Sequence, residues 1–176
     1  MKALTEEDLS LCAMQGRIFE MSVSKLKCGS AVFIRRFMNS SLAERLDAGS
    51  YLSEPVSAAS ALEEIEEEYG KSDYGSIQYS ADELYWIGYL YRYWCISCDC
   101  SSRSVFNICG GREMRDLYYP YHTLDPKQAV ERILEAKAVS SEPDLARGIS
   151  LYRDMLHARE AKYRAGTAEM KGSARS

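Results

Sequence analysis

Cys95, Cys98, Cys100 and Cys109 are the residues of this chain whose types and spacing most directly suggest chemistry, forming a C-x2-C-x-C-x8-C pattern. Thiolates so grouped could bind zinc, because soft sulfur ligands suit a tetrahedral d10 ion. A second C-x2-C pair is missing, however, and Cys95 falls on the same helical stripe as Tyr91 and Trp94, where a cysteine serves as a small hydrophobe. A redox role for Cys95 and Cys98 would need a βαβ setting, and no strand-like alternation is visible. No cofactor is expected, and a metal site on the four cysteines is kept as an alternative. His122 follows a YYPY run and His157 lies in a basic stretch, neither with a carboxylate or nucleophile at a diagnostic spacing. Each is read as a packed or surface imidazole. Phosphate-binding loops, nucleophile elbows and zinc-protease motifs are lacking, so no catalytic residue is assigned and the chain is not expected to be an enzyme.

Arg92 is the one charged residue in an otherwise apolar run. Between Leu84 and Ile96, only Gly88 and Arg92 are neither aromatic, aliphatic nor cysteine. A guanidinium in that setting must snorkel or pair, since an unpaired buried charge costs several kcal/mol. A structural ion pair is expected. The tyrosines, 13 in all, pose the same choice: buried, their hydroxyls need partners, and exposed, they make interface anchors.

The stretch that positions these groups, SADELYWIGYLYRYWCI from Ser80 to Ile96, predicts the central helix of the fold. Ser80 and Glu83 form a capping box, and Asp82 adds an anion at the helix start. Leu84, Ile87, Tyr91 and Trp94 lie on one face and Tyr85, Tyr89 and Tyr93 on another, so neighbours should wrap most of it. Upstream, Thr5 and Asp8 open a first helix predicted over about Glu6 to Ser22. Gly29 and Ser30 read as a stop and a new cap, followed by a helix with Ala31, Ile34, Phe37 and Met38 inward and another short helix over Leu42 to Asp47. A loop around Pro55 leads to a helix capped by Ser57, with Leu62, Ile65 and Tyr69 on one stripe. Its other faces carry Glu63, Glu64, Glu66, Glu67 and Glu68, whose mutual repulsion invites cations.

Downstream, Ser102 is expected to cap a short helix that stops at Gly110 and Gly111 in the left-handed conformation glycine tolerates. Pro120 disfavours helix at Tyr119, so residues 111–126 are expected to be a turn of helix followed by an extended aromatic segment across the core, around Tyr118 to His122. Asp125 and Pro126 mark another helix start, with Ala129, Val130, Ile133 and Leu134 inward. Pro143 opens a last helix through about Ala165, and residues 166–176 form a flexible tail. The expected fold is all-α: a single compact bundle of about six to eight helices, residues 1–165, around the central aromatic helix.

At 176 residues the chain can bury a core without crosslinks. No apolar run approaches the ~20 residues needed to cross a bilayer, and MKALTEEDLS is too acidic for a secretory signal, so a cytoplasmic protein with reduced thiols is expected. The net charge of −4 is unevenly placed. From Leu145 onward seven basic residues face three acidic ones, a net of +4, which leaves −8 for residues 1–144. Glu63, Glu64, Glu67 and Glu68 on the acidic helix, and Arg153, Arg159 and Arg164 near the C-terminus, are the candidate partner-binding residues. Two short helices within residues 24–45 invite a helix-turn-helix alternative, a DNA-binding regulator using Arg35, Arg36 and Arg45. Its apolar AVFIRRFM face fits bundle packing better.

Three phrases, FIRRFMNSSLAERLD at 33–47, ELYWIGYLYRYW at 83–94 and LYYPYHTLDPKQAVERI at 117–133, resemble a family of small bacterial all-helical proteins without an assigned activity. Such proteins are associated with gene clusters that also encode a small ADP-ribosyltransferase-like protein, an arrangement like a toxin and its antitoxin. The three phrases lie within residues 33–133. The resemblance implies an antitoxin-like interaction protein whose partner is an ADP-ribosyltransferase-like toxin. It carries no catalytic motif, no functional residue and no part of the cysteine cluster.

Overall fold

A computed structural model describes residues 1–49 and 57–140, with side chains through residue 138. The expected loop around Pro55, the last helix from Pro143 and the 166–176 tail therefore lie outside the described residues. The chain divides into two compact units, Met1–Val130 and Glu131–Ser176. Every regular element among the described residues is helical: α1 (Glu6–Lys25), α2 (Ser30–Met38), α3 (Ser41–Asp47), α4 (Ala58–Tyr69), α5 (Ala81–Cys98), α6 (Ser102–Ile108), α7 (Gly111–Asp116), α8 (Tyr118–Tyr121) and α9 (Pro126–Ser140). The first unit holds α1 to α8 and the start of α9. The described part of the second is the remainder of α9.

Local hydrogen bonds account for most of the helix starts. Thr5 and Asp8 form a complete capping box on α1, and Ser80 and Glu83 form one on α5. Ser40 and Ser57 accept from the backbone N–H three residues on, satisfying donors that the first turn leaves orphaned. Asp125 does the same work for α9, its carboxylate accepting from Lys127 N–H. At its far end α5 closes with Asp99 at φ 55°, while Cys100 N–H reaches Cys95 O and Asp99 N–H reaches Ile96 O. This is a Schellman ending, with aspartate in a conformation it tolerates better than most residues.

Some local expectations are corrected. The first helix runs to Lys25 rather than Ser22. Gly29, not Ser30, caps α2, because the Ser30 hydroxyl is engaged with Gln78 and Tyr79 instead. Ser101 rather than Ser102 caps α6. Gly110 is extended at φ −73°, an N-cap for α7 rather than a left-handed stop. Gly111 is required for closeness: a Cβ there would lie 2.9 Å from Ile34 Cγ2. The Tyr118–His122 segment is a helical turn on the surface, not an extended strap across the core, with Tyr119 76% exposed. Pro120 fits because it sits in the first turn of α8, where the missing N–H has no acceptor within that helix.

The first unit is built on the packing of α5 against α1. Leu84, Ile87, Tyr91 and Trp94 are fully buried, whereas Tyr85, Tyr89 and Tyr93 are half-buried, so α5 is covered on one broad side and partly on the other. Phe19 of α1 meets Phe33 and Phe37 of α2 edge-on, with ring centroids 5.1 and 4.9 Å apart. Two glycines let the central pair come close. A Cβ on Gly16 would stand 3.0 Å from the Tyr85 ring and backbone, and one on Gly88 only 2.7 Å from Phe19 and 2.8 Å from Gln15 O. The second clash involves backbone, which cannot rotate away. Gly88→Ala should therefore destabilise the fold by about 3 kcal/mol, at the upper end for overpacking, as read from urea unfolding.

Candidate functional site

The buried charge expected at Arg92 is present and paired. Its side chain is fully buried. Nη1 donates to Asp47 Oδ1 at 2.6 Å, Nε to Gln15 Oε1 at 2.8 Å and Nη2 to Ser102 Oγ at 3.0 Å. Asp47 in turn accepts from Ser102 N–H at 2.7 Å and from its hydroxyl at 2.8 Å, while Gln15 Nε2 donates to Gly88 O at 3.1 Å. The network thus ties α1, α3, α5 and α6 through groups that satisfy one another. It forms one wall of a cleft of about 300 Å³, where Lys2, Asp8, Cys95 and Asp99 also stand.

Burial pushes the Cys95 thiol up to about 11, against the pull of Arg92, and the Cys12 thiol up to about 12. Neither is a thiolate at neutral pH, which is the form that attacks or ligates. Of the four clustered cysteines, Cys95, Cys98 and Cys109 are buried and Cys100 is half-buried, and none of the six cysteines is joined in a disulfide. Among the described residues no group of three or more His, Cys, Asp or Glu is placed to hold a metal ion.

The predicted charge clusters prove to be joined to each other. Arg45 pairs with Glu64 at 2.7 Å, and Glu68 accepts from the Ser41 N–H and hydroxyl at 3.0 and 2.8 Å, anchoring the start of α3 to α4. Arg36 donates to Gly70 O at 2.9 Å and lies over the Tyr69 ring. Of the residues proposed for DNA, only Arg35 has no such intramolecular bond among the described residues. Of the four glutamates proposed for a partner, Glu63 and Glu67 stay exposed and without an ion pair there. Arg153, Arg159 and Arg164 lie outside the described residues. The cations that the glutamate helix called for are thus supplied, in part, by the neighbouring α3.

The most exposed large apolar side chains stand on the 70–80 connection and on α8. Tyr74 is 74% and Ile77 62% exposed on the 70–80 connection, and Tyr119 stands out on α8. Trp86 meets Tyr118 edge-on at 5.6 Å, and Tyr118 stacks on His122 at 4.6 Å. Arg115 lies 4.6 Å over the Tyr79 ring and donates to Glu83 at 3.1 Å. The only sequence signal was a tyrosine and an isoleucine in a stretch punctuated by Gly70 and Gly75, which composition alone does not separate from an ordinary loop.

Comparison of the chain with protein-family profiles, with curated proteins and with solved structures finds no match. Its class rests on its own geometry: an all-α helical bundle. No helix among the described residues is long and apolar enough to cross a membrane.

Two predictions come from these contacts. Arg92→Met leaves Asp47 and Gln15 facing an apolar side chain and should lower stability by about 3–5 kcal/mol in urea unfolding, with Asp47→Asn costing less because it keeps the shape and part of the bonding. Burial raises the Glu83 carboxyl, but its bonds from Ser80 and Arg115 outweigh that and hold it below the usual range. A depressed carboxyl stabilises the fold above its unfolded pKa and loses that contribution as pH falls. Thermal unfolding should therefore show wild type more stable than Glu83→Gln at neutral pH, the gap closing as pH drops through the carboxylate range.

Proposed function

We propose that this chain is a non-enzymatic protein-interaction module, an antitoxin-like protein whose helical body binds a partner toxin and holds it inactive. The observation that carries the reading is that Tyr74, Ile77 and Tyr119, at 74%, 62% and 76% exposure, stand further into solvent than the other large apolar side chains among the described residues. Exposed aromatic side chains serve as the central contacts of protein interfaces. The resemblance of the 33–47, 83–94 and 117–133 segments to antitoxin-like proteins supports it, and supplies the partner class, an ADP-ribosyltransferase-like toxin. The buried thiols and the fully engaged Arg92 agree with a body built for shape rather than catalysis.

Co-expression with the product of the neighbouring gene is the test. The two proteins should co-purify as a complex, and expression of this chain should restore growth to cells producing that product. If neither occurs, the reading is wrong.

A further inference from the structure

The Schellman ending of α5 brings two cysteines together. Cys100 N–H donates to Cys95 O at 2.9 Å across Asp99, which sits at φ 55°. Adding the standard lengths on either side of that 2.9 Å bond puts the two Cα atoms no more than about 6.8 Å apart, within the span of about 4.4–6.8 Å that a disulfide bridges. In an ending of this kind the side chains of the two residues so bonded also tend to pack on each other. Both cysteines line the cleft of about 300 Å³ beside Arg92, so their sulfurs face a shared space.

The two thiols differ in access. Cys100 is half-buried, and its thiol donates to the Cys98 carbonyl at 3.2 Å, a contact that turning one side-chain torsion releases. Cys95 is buried, its sulfur 3.9 Å from the Ser102 hydroxyl that holds Arg92. An oxidant arriving from solvent therefore meets Cys100 first and finds Cys95 behind it. Cys98, although closer to Cys95 along the chain, is buried and does not line the cleft.

We infer that Cys95 and Cys100 are a peroxide-oxidisable pair that closes a disulfide across the left-handed turn at Asp99. As its thiolate, Cys100 attacks hydrogen peroxide: an S–O bond forms, the O–O bond breaks, and the departing hydroxide takes up the proton that Cys100 released. Cys95 then attacks the sulfenic sulfur. An S–S bond forms, the S–O bond breaks, and the second hydroxide leaves as water with the Cys95 proton. Two thiols are oxidised and one peroxide is reduced to two waters. The bridge forms at the edge of the Arg92 network and is independent of any partner.

The test treats the folded full-length chain with hydrogen peroxide, blocks the remaining thiols with iodoacetamide and maps the tryptic peptides by mass spectrometry. The peptide 93–103 should lose two hydrogens and carry one blocked thiol, at Cys98, while Cys12, Cys28 and Cys109 are blocked throughout. Cys98→Ala should keep the bridge, whereas Cys100→Ser and Cys95→Ala should each abolish it. Thermal unfolding checks that the variants fold, and if Cys95→Ala does not, the other two still decide. Cys100 carried to the sulfinic acid without a bridge overturns the assignment. So does a bridge lost in Cys98→Ala, a crosslink between chains, or a folded chain whose thiols all stay reduced.

Discussion

The Arg92 guanidinium sits in the middle of the apolar helix with no exposed surface, and the first unit depends on giving it oxygen. Left unpaired, such a charge would cost several kcal/mol, a large fraction of a domain's net stability. Gln15, Asp47 and Ser102 provide the acceptors, each from a different helix. Four elements must therefore meet at one point, and any packing that displaces one of them exposes a buried charge to a lost partner. Hydrophobic burial alone tolerates many arrangements of helices; this network tolerates few.

Close approach of α1 and α5 follows from the same point. Gln15 bonds both Arg92 and the Gly88 carbonyl, so its backbone must lie against α5, and glycine at 88 leaves the space for it. With Trp94, Tyr91 and Leu84 buried, the remaining tyrosines of α5 are left half-covered. The molecule thus has a well-specified interior and an aromatic exterior. Its exposed rings are attached to elements whose own backbones are fixed, by the glycine contact at the 70–80 connection and by the helical turn at Tyr118–Tyr121.

Charge tells a similar story. The glutamate-rich α4 reads, by composition, as a surface awaiting a basic partner, yet Arg45 and the Ser41 backbone have already come to it. The pairing is exposed and adds little stability, but it leaves less of that face for anything else.

What the amino-acid order determined by itself was everything decided within one helical turn: the all-α class, the capping boxes at Thr5 and Ser80, the starts at Ser57 and Asp125, the inward stripe of Leu84, Ile87, Tyr91 and Trp94, and the need for a partner at Arg92. Those features rest on bonds that span three or four residues. The identity of that partner was settled only by the tertiary structure, since Asp47 and Gln15 lie 45 and 77 positions from Arg92. So were the partly paired glutamates of α4 and the pinned connection carrying Tyr74 and Ile77. Each depends on which distant backbone arrives alongside, and local pattern carries no information about that.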